Sequence, residues 1–238
     1  MAAASATSDY PRGNGTGGGG WTGADCALLL GLVAFAALRT ASLVFSPLEL
    51  GVDEAQYWLW STGFDFGYYT KPPLTSWIIG LSHGLFGHHE WAVRLPAPWL
   101  HLATSLVLWR AADWLAGPAA GRIAAMIWMT LPSIALGSFV ISTDTPLLLC
   151  WSAGVLALVG VLTGRLRERR GMLLAGGAFG AAMLAKYAAI YGLAGLALFV
   201  LATSVLSRDT ERQKVIGWRG LGLFALGMVA VALSLIHI

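Results

Sequence analysis

Charge is what this sequence has least of. Asp, Glu, Lys and Arg together make up 11% of its 238 residues and hydrophobic residues 57%, whereas soluble domains carry roughly a quarter charged residues. That imbalance excludes an ordinary water-soluble fold. Cysteine is scarce too. Cys26 and Cys150 both lie in apolar runs, with no CxxC neighbour and no His at metal-ligand spacing, so both read as packing residues rather than as a disulfide or zinc pair. No GxxxxGK[ST] loop and no DxD string appears, which removes the usual means of holding a nucleotide. A basic start running straight into an apolar stretch is missing as well, so a cleaved secretory signal is not expected. Residues 1–23, with Gly17 to Gly20 in succession, cannot bury enough apolar surface to offset their ordering entropy and read as a disordered tail.

What the sequence does have is length of apolar run. Mean hydropathy is +0.69, and the first run, about residues 24–45, approaches the roughly 20 residues that cross a bilayer. Further runs lie near 95–112, 123–141, 146–162, 171–185, 187–206 and 220–236, making seven candidate spans and an all-α, polytopic membrane fold. Arg39 lies near enough to one end of the first run for its head to snorkel to the interface. The formal charge of +3 does not point to nucleic acid, because the basic residues sit in loops between apolar runs rather than on one soluble face.

Parity decides the topology. Leu74 to Phe86 is apolar but short for a span, and it suits an interfacial or re-entrant piece. If it does not cross, the loops carrying Arg110 and Arg122, Arg165 to Arg170, and Arg208 to Arg219 share one face with the N-terminus, which the positive-inside rule makes the cytoplasm. Residues 1–23 are then a cytoplasmic tail. Residues 46–92 form a long external loop of amphipathic juxtamembrane helices. Residues 171–206 would be roughly 54 Å long as one helix, so two spans must fold back there, with the connection near Lys186 and Tyr187.

The chemistry-bearing residues gather on that external side. Asp53 and Glu54, in GVDEAQYWLW, are adjacent carboxylates just past a span, where acids default to a functional reading; alternatively, Asp53 caps a short helix beginning at Glu54. GYYTKPPLTSW holds Lys71 behind two prolines, positioned to clamp a lipid phosphate with Tyr68 and Tyr69 hydrogen bonding beside it. The competing reading is an aromatic belt with one snorkelling lysine. STDTPLLL sets Asp144 at the start of the fourth span, as a second acid or as an ordinary helix cap. His83, His88, His89 and His101 form no i, i+4 pair and read as interface or loop histidines.

DEAQYWLW, YYTKPPLTSW, VRLPAP at 93–98 and STDTPL, taken in order and spacing, resemble the GT-C class of polyprenyl-phosphate-sugar glycosyltransferases. The likeness is to the branch of protein O-mannosyltransferases, aminoarabinose transferases and lipid A galacturonosyltransferases. It covers about residues 40–190. The resemblance implies many helices, a structured first external loop and inverting transfer of a sugar from a polyprenyl-phosphate donor to a lipid, glycan or protein acceptor. It implies a place in the bacterial inner (plasma) membrane. Asp53 matches the first-loop acid, Glu54 its acidic neighbour and Asp144 the second cavity acid, a catalytic set. Lys71 matches the phosphate-binding lysine and Arg94 the arginine of the RLP string. Lys186 joins Tyr68, Tyr69, Lys71 and Arg94 on the substrate-binding side because the topology brings it to the same face. Thr70 stands where aminoarabinose transferases carry a glutamate implicated in metal binding, which counts against a divalent metal and against aminoarabinose as the sugar.

Carboxylate base and cationic clamp are the minimal set for this transfer: the acceptor loses a proton while a phosphate leaves with its charge compensated. The principal rival is a multi-spanning secondary transporter, which would set its charges near the membrane midplane in paired, interrupted helices, and the second is a non-catalytic membrane scaffold. The last run reaches LSLIHI with no polar exit, and members of the resembled class are longer, so residues 24–238 are expected to be the N-terminal portion of a transmembrane glycosyltransferase domain, inactive alone.

Overall fold

The computed structural model describes residues 22–206 and 216–233; of the tail expected at 1–23, residues 1–21 lie outside them, and Thr22 and Gly23 cap and open the first helix. Helices are the only regular structure among the described residues: α1 (Gly23–Val44), α2 (Val52–Ser61), α3 (Leu74–Phe86), α4 (Glu90–Arg94), α5 (Pro96–Ala116), α6 (Pro118–Thr130), α7 (Pro132–Gly137), α8 (Asp144–Leu162), α9 (Glu168–Ala185), α10 (Ile190–Leu206) and α11 (Trp218–Ala232), with a single 3₁₀ turn at Tyr187–Ala189. This is the all-α polytopic fold the apolar runs call for. The run from 171 to 206 does break, at Lys186, which is extended with φ −157° and ψ 130°.

Among the described residues three stretches are long and apolar enough to cross a bilayer unaided: Gly23–Val44, Asp144–Leu162 and Tyr187–Val205. The other expected spans depart from that standard for local reasons. The run at 123–141 is two helices, because Pro132 has no N–H to continue the ladder of α6 and starts α7 instead. α5 ends in Arg110 and Asp113, and α11 is a shorter apolar helix.

Arg39 corrects the sequence reading most sharply. It does not snorkel: the residue is 5% exposed, and its guanidinium donates to the Met129 carbonyl at 2.7 Å and to Ser138 Oγ at 3.1 Å. Those acceptors flank the Pro132 break, so a cation from α1 is held by one backbone carbonyl and one hydroxyl on either side of the broken helix. Cys26 is exposed on α1 rather than packed, while Cys150 is half-buried.

Packing follows small residues. α9 and α11 run side by side with a backbone approach that Gly180 and Gly227 permit: a Cβ on Gly180 would meet the Met228 carbonyl at 2.6 Å, and one on Gly227 the Leu173 carbonyl at 2.7 Å. Phe179 fills the core between them and α8, with Trp151 at 4.7 Å and Phe224 at 5.3 Å between ring centroids. A second cluster joins Leu32 and Ala36 of α1 to Leu102, Ala125 and Met129. A third, around Tyr57, Ile79, Val93, Ala97 and Ile141, lies under the long loop.

The contacts sort the loops into two ends. At one end Arg122 pairs with Asp25 at 2.9 Å, joining the starts of α6 and α1. The guanidiniums of Arg110 and Arg165 stand over Trp114 at 5.3 and 5.6 Å, and Glu168 lies against Gly220. At the other end are the exit of α1, helices α2 to α4, Asp144 and Lys186. Arg110, Arg122, Arg165 and Arg219 thus share an end, while Arg208, Arg212 and Lys214 of the third basic loop lie outside the described residues.

Candidate functional site

The long loop is built on a buried ion pair. Arg94, in α4, donates from Nε to Glu54 Oε1 at 2.9 Å and from a terminal nitrogen to Glu54 Oε2 at 2.8 Å, and the remaining reach of the guanidinium goes to the carbonyls of Leu48 and Glu49, both at 2.8 Å. Glu54 also accepts the N–H of Gly51 at 2.9 Å and that of Ile141 at 3.0 Å. Both side chains are buried, 5% and 2% exposed. The Glu54 carboxylate, with burial opposing it, holds the Arg94 guanidinium above its ordinary range. Hydrogen bonding saturates these groups, so the structure sets Glu54 and Arg94 inside the scaffold rather than on the open face expected of them. Together they fasten α2, the exit of α1, α4 and the approach to α8.

Asp53 points the other way. It is not the cap of a helix starting at Glu54: α2 begins at Val52 with Gly51 as N-cap, and Glu54 closes the box onto the Gly51 N–H. That leaves the Asp53 carboxylate, 70% exposed, free to pair with Lys71 Nζ at 3.4 Å. Lys71 Nζ also donates to the Tyr57 hydroxyl at 2.8 Å and stands over the Tyr57 ring at 5.0 Å from its centroid. The hydroxyl accepting from it and Asp53 beside it hold the Lys71 ammonium above its ordinary range, so it is cationic throughout the neutral range. An ammonium has three donors, and one remains for a ligand.

Tyr57 is the residue the sequence reading missed. It is 2% exposed, and its spacing of four from Asp53 on one helix was the available signal, since i and i+4 share a face. Tyr68 was expected in its place. Instead Tyr68 stacks on Trp60 at 5.0 Å, and its hydroxyl is held by the carbonyls of Trp60 and Gly63 at 2.9 and 3.0 Å. Burial raises its pKa. Tyr69 is 97% exposed and touches none of the site groups.

Asp144 opens α8, and Thr143 supplies no side-chain cap. Ser142 Oγ instead accepts the Asp144 N–H at 3.2 Å, so the helix start is served from Ser142, and the Asp144 carboxylate makes an ion pair, Lys186 Nζ to Asp144 Oδ1 at 2.7 Å, with both side chains about half exposed. Lys186 reaches it from the break between α9 and the 3₁₀ turn. Two acid–lysine pairs therefore stand at the same end of the bundle, and the Glu54–Ile141 bond links their supports. His83 and His88 come within 4.4 Å of each other in the same loop, with Trp58 donating to His88 at 3.1 Å. Among the described residues no three His, Cys, Asp or Glu side chains are grouped to hold a metal.

Comparison with known proteins agrees with this architecture. The family described as dolichyl-phosphate-mannose-protein mannosyltransferase matches residues 70–235, a match that begins one residue before Lys71 and so does not include Asp53, Glu54 or Tyr57. The chain is 37% identical over 188 residues to a lipid A galacturonosyltransferase, RgtD, of Rhizobium johnstonii, an alignment covering 76% of this chain and 39% of that protein. The chain thus spans well under half the length of that curated relative. No solved structure matches. An all-helical membrane bundle with a braced first loop, matched along most of its length, belongs to the dolichyl-phosphate-mannose-protein mannosyltransferase family of GT-C membrane glycosyltransferases.

Proposed function

We propose that this chain forms the donor-binding part of an enzyme that moves a sugar from a polyprenyl-phosphate donor to an acceptor at the outer face of the bacterial plasma membrane. The observation that carries this reading is the Asp53–Lys71–Tyr57 cluster: an exposed carboxylate beside an ammonium whose position is fixed by a buried phenol. Lys71 would neutralise the leaving phosphate, and Asp53 would orient or deprotonate the acceptor hydroxyl, the two tasks the reaction demands. As the acceptor oxygen bonds to the anomeric carbon, the bond from that carbon to the phosphate oxygen breaks, the proton passes to Asp53, and the phosphate keeps the electron pair. Lys186 and Asp144 would form a second polar contact for the sugar or its phosphate. Glu54 and Arg94 act as positioning residues rather than touching substrate. A lipid acceptor is the reading favoured by the likeness to a lipid A galacturonosyltransferase.

The experiment is transfer of labelled sugar from a polyprenyl-phosphate donor by membranes carrying this chain within a full-length enzyme, with Lys71→Met and Lys71→Arg beside wild type. Lys71→Met should weaken donor binding, and Lys71→Arg should restore only part of it, because a planar fork replaces a point charge. Equal transfer by all three would remove Lys71 from the donor site, and proton-coupled uptake without transfer would favour a transporter.

A further inference from the structure

The end of the bundle opposite the proposed transfer site has a cleft of its own. It measures about 570 Å³ and is lined by Glu168, Arg169, Arg219, Gly222, Leu223 and Leu226, between the first turns of α9 and α11. We propose that this cleft binds the phosphate headgroup of an anionic phospholipid from the leaflet that faces the basic loops.

Charge is the first part of the argument. Arg169 and Arg219 are exposed, and neither has an ion pair or hydrogen bond to any described residue. Two guanidiniums at one cleft repel each other unless an anion lies between them, and a phosphate offers each a bidentate acceptor. α9 and α11 are parallel, since Gly220 lies beside Glu168 while Gly180 lies beside Met228. Both helices therefore direct the positive ends of their dipoles and their free N–H groups at the cleft. Glu168 offsets one positive charge and leaves the site cationic.

Depth and shape distinguish a lipid from a soluble anion. Trp218, 60% exposed, opens α11 beside Arg219, a pairing typical of the headgroup level of a membrane. From there the cleft wall turns apolar. Gly222 has open space above its Cα, and Leu226 and Val229 continue outward along the same helix at 60% and 53% exposure. A headgroup at Arg169 and Arg219 would have its acyl chain run down this strip, while free phosphate would leave it bare. Basic pockets between helices at a cytoplasmic face are suited to such lipids.

The test is native mass spectrometry of the 238-residue chain in mixed micelles of phosphatidylglycerol and phosphatidylcholine. Wild type is expected to retain phosphatidylglycerol about tenfold over phosphatidylcholine, a difference of ~1.4 kcal/mol. Arg169→Gln with Arg219→Gln should abolish that preference, Arg219→Lys should keep part of it, and Arg165→Gln, at the same end but outside the cleft, should keep all of it. Glu168→Gln should strengthen it. A weaker phosphatidylglycerol preference in Glu168→Gln would mean that the acid helps to hold the lipid instead of opposing its charge, and would overturn the anionic assignment. Unchanged preference in the double variant would overturn the site. Displacement of the bound lipid by millimolar inorganic phosphate would make the occupant a soluble anion and would equally overturn the proposal.

Discussion

Glu54 reaches across the bundle to the backbone N–H of Ile141, at 3.0 Å, while the same oxygen accepts from Arg94. Ile141 lies three residues before Asp144. One buried carboxylate thus sets the relation between the helix that carries Asp53 and the helix start that carries Asp144, on which any site using both acids depends.

Breaking this brace should cost folding before it costs chemistry. Glu54→Ala leaves a buried guanidinium unpaired, an outcome worth about 3–5 kcal/mol, whereas replacing both members by apolar residues is far milder. Thermal unfolding in detergent should therefore show a large loss for Glu54→Ala and a partial recovery for Glu54→Ala with Arg94→Met. A Glu54→Ala protein with wild-type stability and no transfer would return Glu54 to the substrate side.

Tyr57 carries a separable test. Tyr57→Phe keeps the ring over which Lys71 stands and removes only the hydroxyl that accepts from it. Donor binding should weaken roughly tenfold, the scale of one hydrogen bond to a charged group. The pKa of Lys71 is raised on folding, so its charge-dependent contribution is complete below the ordinary value of 10.5 and is lost only as pH rises through the higher folded value. Wild-type donor binding should consequently be flat across neutral pH, and a titration of binding near pH 7 would exclude Lys71 as the clamp.

Much of this was legible in the residues themselves. Apolar runs located the helices, and the break at Lys186 followed from bilayer thickness against chain length. Residue type and loop position also brought Asp53, Lys71, Asp144 and Lys186 to one end. What escaped was pairing over distance. Nothing local in VRLPAP says that Arg94 will turn inward to Glu54, 40 residues away, and nothing near Arg39 announces a helix break 93 positions later as its partner. Those choices are made by tertiary packing, which hands a buried charge whatever carbonyls the fold leaves open.

Sidedness can be checked directly. With the basic loops cytoplasmic, a cysteine at position 65 should react with an impermeant maleimide added to intact cells, and one at position 168 should react only after permeabilisation. These positions lie in the long loop and at the start of α9. The reverse pattern would invert the topology and put the proposed transfer site inside.

Asp53 should be the carboxylate whose loss is felt most in transfer and least in folding. Its side chain is 70% exposed and its ion pair with Lys71 spans 3.4 Å, so the pair adds little to stability. Gly51 and Glu54 already close the helix start, which removes capping as an explanation for any effect. Asp53→Asn keeps the shape and the hydrogen-bonding oxygen but cannot take a proton from the acceptor. In a full-length enzyme at matched membrane abundance, transfer should fall by about 10² to 10⁴, the range of a lost general base, with donor binding changed far less. A rate within a few-fold of wild type would end the catalytic assignment, and a parallel loss of folded protein would make Asp53 structural. Asp144→Asn supplies the comparison: its partner Lys186 lies at the second pair, so its effect should fall on binding of the sugar or its phosphate rather than on the proton-transfer step.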